Sequence, residues 1–231
     1  MNIIVTGASK GIGKAIARIY SAEGHTLLLC ARNQQQLQET ANELNALYGN
    51  TVHIYPADLS NKDASISFGK WCLSFGEPDI LINNAGSFSP GSIYNEAEGT
   101  LEDMIATNLY SAYHVTRAVV PSMIAQKSGH IFNICSIASV KPYSNGGSYS
   151  ISKFAMLGFS KNLREELMPF HIKVTAILPG AVYTDSWTGS GVDPHRIMEV
   201  NDIATVVLAA SKLSPQACVE EIILRPLLGD L

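Results

Sequence analysis

The chain has 231 residues, 46% of them apolar and only 16% charged, with a formal net charge of −4. That length supports one large domain with a substantial core. The acidic balance and the lack of any basic run argue against nucleic acid as the main partner. No stretch reaches the roughly 18 apolar residues of a membrane span, so no membrane partner is expected.

A charged share well below the usual quarter or so suggests extra buried surface, as in an oligomer. Cys30, Cys72, Cys135 and Cys218 are scattered and form no Cys-x-x-Cys pair, which reads as reduced thiols in a cytoplasmic protein. The six histidines show no ligand spacing, so no metal is expected. Asn2–Val5 already reads as a strand, with no basic segment or cleavage site before it to suggest export.

Asn2–Val5 runs directly into Thr6-Gly7-Ala8-Ser9-Lys10-Gly11-Ile12-Gly13, and a helical pattern follows over Lys14–Glu23, ended by Gly24. Strand, glycine turn and helix in that order are the setting of a dinucleotide site. The glycines permit a tight turn and a close backbone approach to a pyrophosphate, and the helix N-terminus favours an anion. The first gap, Gly-x-x-x-Gly-x-Gly, is wider than in the common fingerprint.

Thr26–Ala31 is the second strand. An acidic residue that would hold a ribose 2′-hydroxyl is missing there; Ala31 and Arg32 stand in its place. A guanidinium can pair with a 2′-phosphate, and Lys10 offers a second positive charge, so the pair favours NADP(H). Arg32 could instead simply be solvated at the start of the next helix. Asn33 is positioned to cap a helix over Gln34–Tyr48. Thr51–Pro56 reads as the third strand, followed by Asp58-Leu59. Asp58 could accept from an adenine amino group or cap the helix beginning near Ser60.

A helix over Lys62–Phe75 leads to a fourth strand, Asp79–Ile82, and to the small-residue run Asn83-Asn84-Ala85-Gly86. After a turn-rich stretch at 87–96, one long helix is expected over Thr100–Gln126, bending at Pro121. Asn108 interrupts its apolar face and must be either a structural bridge or a site residue. Ile131–Cys135 reads as the fifth strand. Ser136 follows it, and a helix over Ser148–Met168 carries Tyr149 and Lys153 one turn apart. A hydroxyl, a phenol and an ammonium can therefore meet at a sheet edge. A sixth strand, His171–Leu178, leads into Pro179-Gly180-Ala181-Val182-Tyr183-Thr184. A helix near Asp202–Lys212 and a strand at Glu220–Leu224 follow. The alternation predicts an α/β fold: a Rossmann-type, doubly wound parallel sheet of about seven strands with helices on both faces, in one domain over 1–231.

These motifs, in this order and over nearly the whole chain, resemble the single-domain short-chain dehydrogenase/reductase family. The resemblance implies a catalytic tetrad of Asn108, Ser136, Tyr149 and Lys153. It implies NADP(H) contacts from Gly7, Ser9, Lys10, Gly11, Ile12, Gly13 and Arg32, from Asp58, Leu59, Asn84, Ala85 and Gly86, and from Tyr149, Lys153, Pro179, Gly180, Val182 and Thr184. It also implies hydride transfer to or from a small-molecule carbonyl or alcohol. Tyr149 is then the general acid/base, with its pKa lowered by Lys153, and Lys153 holds the ribose hydroxyls. Ser136 orients the substrate oxygen and Asn108 holds a relay water. A homodimer or homotetramer follows from the same resemblance.

The short segment after the Pro-Gly turn makes Tyr143, Tyr183 and Trp187 candidate pocket walls, although each could equally be ordinary packing. Residues 180–187 and 220–226 are similar to bacterial sepiapterin reductase-like members, which points to pterin or small dicarbonyl substrates. The alternative from another class is a catalytically silent NADP(H)-binding regulator on the same fold.

Overall fold

Strand β1 (Asn2–Thr6) buries Ile3, Ile4 and Val5 completely, so both of its faces are covered. A parallel sheet needs that, because its crossover helices lie on both sides. The computed structural model describes residues 1–187 and 189–230. Thr188 and Leu231, which the single-domain expectation over 1–231 includes, lie outside the described residues. The strands are β1, β2 (Thr26–Ala31), β3 (Val52–Pro56), β4 (Ile80–Asn83), β5 (Gly129–Ile134), β6 (Ile172–Pro179) and β7 (Glu221–Leu224). They form one sheet of seven in the order β3-β2-β1-β4-β5-β6-β7, with every pair parallel.

The side-chain period of two divides the core. Ile3, Val5, Leu27, Leu29 and Ile82 point to one face. There they meet helices α1 (Gly11–Ala22), α2 (Gln34–Tyr48) and α7 (Val200–Ser211). Ile4, Leu28, Cys30 and Leu81 point to the other. They meet α3 (Lys62–Leu73), α5 (Ser111–Gln126) and the end of α6 (Gly147–Leu167). Helix α4 (Thr100–Ile105) packs against α6. The chain reverses direction across the sheet between β1 and β4. Loops leaving the carboxyl ends of those neighbours must separate, which opens a crevice.

Three local expectations are corrected. Helix α1 begins at Gly11, inside the glycine turn, where Gly11 itself takes a left-handed φ of +55° and the Lys14 N–H already donates to the Lys10 carbonyl at 3.2 Å. The carboxylate of Asp58 does not cap a helix. It accepts from the backbone N–H (3.0 Å) and hydroxyl (2.8 Å) of Ser60, while Asn61 caps α3 through the Ala64 N–H at 3.0 Å. The expected single helix over 100–126 is three pieces, with a π-helical turn at Ala106–Tyr110 between α4 and α5. The turn is centred on Asn108, a wide turn of the kind often found beside functional sites. Pro121 stays within α5.

Candidate active site

Thr6, at the end of β1, ties the two crevice loops together. Its hydroxyl accepts from the N–H groups of Asn84 and Ala85, each at 2.9 Å. In return, the Asn84 amide donates to the Thr6 and Gly7 carbonyls at 3.0 and 3.1 Å. Close packing here depends on Gly13, where a Cβ would stand 2.2 Å from the Gly7 carbonyl oxygen. The glycine turn and the small-residue run after β4 thus form one rigid floor.

Above this floor lies a cavity of about 1040 Å³. That is room for more than a drug-sized molecule. Gly7, Ser9, Lys10, Gly11 and Ile12 line one end with Arg32, Asp58 and Leu59. Asn84, Ala85 and Gly86 form the middle. Ser136, Tyr149 and Lys153 stand at the far end, with Pro179, Gly180, Val182 and Thr184 opposite. Two expected site residues are not on the wall: Gly13 lies beneath the turn, and Asn108 is buried behind it, 1% exposed. Arg32 is exposed and makes no ion pair among the described residues. Lys10 instead bonds Asp185 at 2.8 Å across the cavity mouth, so a phosphate would have to draw it from that carboxylate.

Ser136 ends the extended β5 segment, and its hydroxyl is turned inward by the Ala138 N–H, which it accepts at 3.1 Å. Tyr149 lies in the first turn of α6, with Ser136 on the wall of the same cavity. Lys153, one turn on and 7% exposed, donates from Nζ to the Ile134 carbonyl at 2.9 Å and sits 5.8 Å from the Tyr149 ring centre. The expected lowering of the phenol pKa is not found. Burial holds it above its ordinary value, with the Ser136 hydroxyl opposing. Burial also lowers the Lys153 pKa. In both groups the lost hydration of the charged form is the leading cause.

The Asn108 side chain is committed to the protein and has no donor left for a relay water. Its oxygen accepts from the Ser87 N–H at 2.7 Å, and its amide donates to the Ser87 carbonyl at 3.1 Å and to the Ser152 hydroxyl at 2.9 Å. The Ser152 hydroxyl in turn donates to the Tyr149 carbonyl at 2.7 Å. Asn108 is therefore a strut between the loop after β4 and the turn that carries Tyr149.

Tyr143 and Trp187 line the cavity, but Tyr183 does not. Several contributors were not read from the sequence. Phe88 packs edge-on against Tyr149, with ring centres 4.9 Å apart. Glu96 accepts from the backbone N–H of Ser148 at 3.3 Å and from its hydroxyl, at the N-terminus of α6. The same two loops join again where Gly91 N–H donates to the Asn145 carbonyl at 3.0 Å and Ser92 donates to the Asn145 side chain at 2.8 Å. A Cβ at Gly147 would fall 2.4 Å from the Gly91 carbonyl. Lys141 and Asp230 complete the far wall. These contacts join loops tens of residues apart, and no short spacing announces them.

A profile of the short chain dehydrogenase family matches residues 1–193, and the chain belongs to that family. An uncharacterized oxidoreductase of Staphylococcus aureus (strain USA300) is 34% identical over 224 residues, covering 96% of both chains. Among solved structures, a metagenomic short-chain oxidoreductase in complex with NADP is 33% identical with a TM-score of 0.86, covering 98% of this chain and 96% of that one. An alcohol dehydrogenase from the archaeon Thermococcus sibiricus, complexed with 5-hydroxy-NADP, is 29% identical with a TM-score of 0.90 and the same coverages.

Proposed function

We propose that this short-chain dehydrogenase is an NADP(H)-dependent oxidoreductase that interconverts a ketone or aldehyde and its alcohol. One observation carries the reading: Ser136, Tyr149 and Lys153 converge on the same cavity that the glycine turn and Arg32 open at its other end. The Gly13 packing, which leaves the turn no room for a side chain, fits a backbone cradle for a pyrophosphate. Arg32, without an ion pair among the described residues and with no carboxylate in the position that would hold a 2′-hydroxyl, fits a 2′-phosphate. NADP in the two solved relatives supports the same choice.

When bound, NADPH supplies the hydride. Tyr149 gives its proton to the carbonyl oxygen as that oxygen gains charge, and takes one back in the reverse direction. Ser136 hydrogen-bonds the same oxygen and fixes the carbon for attack. Lys153 keeps two N–H bonds beyond the one to Ile134, enough for the ribose hydroxyls, and its charge favours the phenolate when the alcohol is oxidised. Asn108 holds the Tyr149 turn in register through Ser152. The described fold acts as one domain, in a cytoplasmic homodimer or homotetramer.

Pterin diketones and small dicarbonyls are the first substrates to try, from the similarity over 180–187 and 220–226. The reading is tested with a carbonyl panel and NADPH, followed at the cofactor's absorbance. Turnover that vanishes in Tyr149→Phe supports it. NADPH binding without turnover of any carbonyl would instead support a silent NADP(H)-binding regulator.

A further inference from the structure

The far end of the cavity carries a charge imbalance that the reaction chemistry does not use. The segment 226–230, which follows β7, folds back over Gly180 and brings Asp230 onto the cavity wall. Two guanidinium groups hold it there. Arg225 donates to both Asp230 oxygens, at 3.0 and 2.5 Å. Arg196 donates to the carbonyls of Leu228, Gly229 and Asp230, at 3.2, 3.1 and 3.3 Å, and has no carboxylate partner among the described residues. Lys141 comes from the loop after Ser136, lines the same wall and stands 3.8 Å from Asp230.

Among the described residues, two cations, Arg225 and Lys141, therefore meet the Asp230 carboxylate, and a third, Arg196, holds the backbone beside it. Arg225 already satisfies Asp230 through a bidentate pair, the strongest arrangement open to it. Lys141 is left with a loose contact and a side chain 65% exposed. Of the three cations, it is the one on the cavity wall. A cationic substrate would meet a carboxylate that is already paired and two guanidinium groups behind it. An anionic one would meet an ammonium free to turn.

We propose that the carbonyl substrate carries a carboxylate, seated against Lys141 while Ser136 and Tyr149 hold its carbonyl oxygen. The substrate class is thus an oxo acid, reduced to the hydroxy acid. This rests on the carbonyl-reductase reading above. The loose Lys141–Asp230 contact opens as the acid enters, and Arg225 keeps Asp230 paired throughout. Lys141 selects among carbonyl compounds and takes no part in proton transfer.

The test compares acetoacetate and levulinate with their methyl esters, which keep the carbonyl and lose the charge. The wild-type protein should prefer each acid in kcat/KM by about ten- to hundred-fold, the range for a hydrogen bond to a charged group. The preference should lie mainly in KM and weaken as salt is added. Lys141→Met should bring each acid to the level of its ester, and Lys141→Arg should keep much of the preference. Esters used as well as the acids, or an acid preference that survives Lys141→Met, overturns the proposal. If no member of any pair is reduced, the reductase reading fails by itself. The carboxylate site is then judged by calorimetric titration of the NADP⁺-loaded protein with hydroxybutyrate and its methyl ester. Tighter binding of the acid that is lost in Lys141→Met upholds the site, and equal binding overturns it.

Discussion

The two ends of the cavity are built differently. At the glycine-turn end, the wall is mostly backbone, fixed by contacts between β1, its own turn and the run after β4. At the Tyr149 end, the wall is made of side chains from segments far apart in sequence: Phe88, Lys141 and Tyr143, Trp187, and Asp230. On the proposed reading the first end recognises a constant group, so its shape can be set locally. The second must suit one substrate, and its parts meet only when the whole sheet has formed. Damage to the two ends should therefore separate: cofactor binding fails at one, turnover or selectivity at the other.

Tyr149→Phe offers the sharpest break. It should lower turnover by at least about 10²–10⁴-fold, the worth of a positioned acid/base, while NADPH still binds in a fluorescence titration. Loss of both together would show that the two ends are not independent. Gly13→Ala should do the opposite. Its methyl would press on the Gly7 carbonyl and the Asn84 amide. Strain of about 1–3 kcal/mol should then appear as a lower melting temperature and weaker NADPH binding. Arg32→Asp should shift the NADPH-to-NADH ratio of kcat/KM by about 10–100-fold towards NADH, with little change in the maximal rate. An unmoved ratio would remove Arg32 from the 2′-phosphate.

Glu96→Ala should have a smaller effect, confined to the substrate end. Its carboxylate caps a helix of 21 residues at the turn that carries Tyr149. Loss of such a cap costs about 1 kcal/mol of stability. The rate should fall while NADPH affinity holds, and Glu96→Gln should recover much of it. The gentlest probe is pH. Reduction needs the protonated phenol, and burial holds the Tyr149 pKa up. With NADPH bound, the reductive rate should stay level through neutral pH and fall only in the alkaline range. The oxidative rate, which needs the phenolate, should rise over that same range. A reductive limb falling near neutrality would mean that Lys153 outweighs burial.

The sequence carried most of the fold because parallel strands buried on both faces read as apolar runs, and Asn33 and the glycines mark helix ends plainly. It carried the glycine turn, Arg32, Ser136, Tyr149 and Lys153 for a related reason: each lies next to an element boundary that periodicity locates. It did not show that Asn108 would spend its side chain on Ser87 and Ser152, because an apolar face interrupted by one amide looks the same whatever the amide bonds. The π-helical turn was hidden likewise, since it keeps a helical composition. Lys141 and Asp230 lie 89 positions apart, by subtraction of their numbers, and only the return of 226–230 across Gly180 joins them.

The strand order also bears on how the chain is made. Residues 1–56 contain β1, β2 and β3, with β2 paired to both of the others. The other edge of β1 has no partner until Ile80–Leu81–Ile82 arrives to pair with it. A nascent chain held between those lengths on the ribosome therefore presents an apolar, unpaired strand edge, the feature most prone to wrong association. Slow codons or a chaperone would matter most while residues 57–83 are being synthesised. After that, each new strand simply extends the sheet outward from β4.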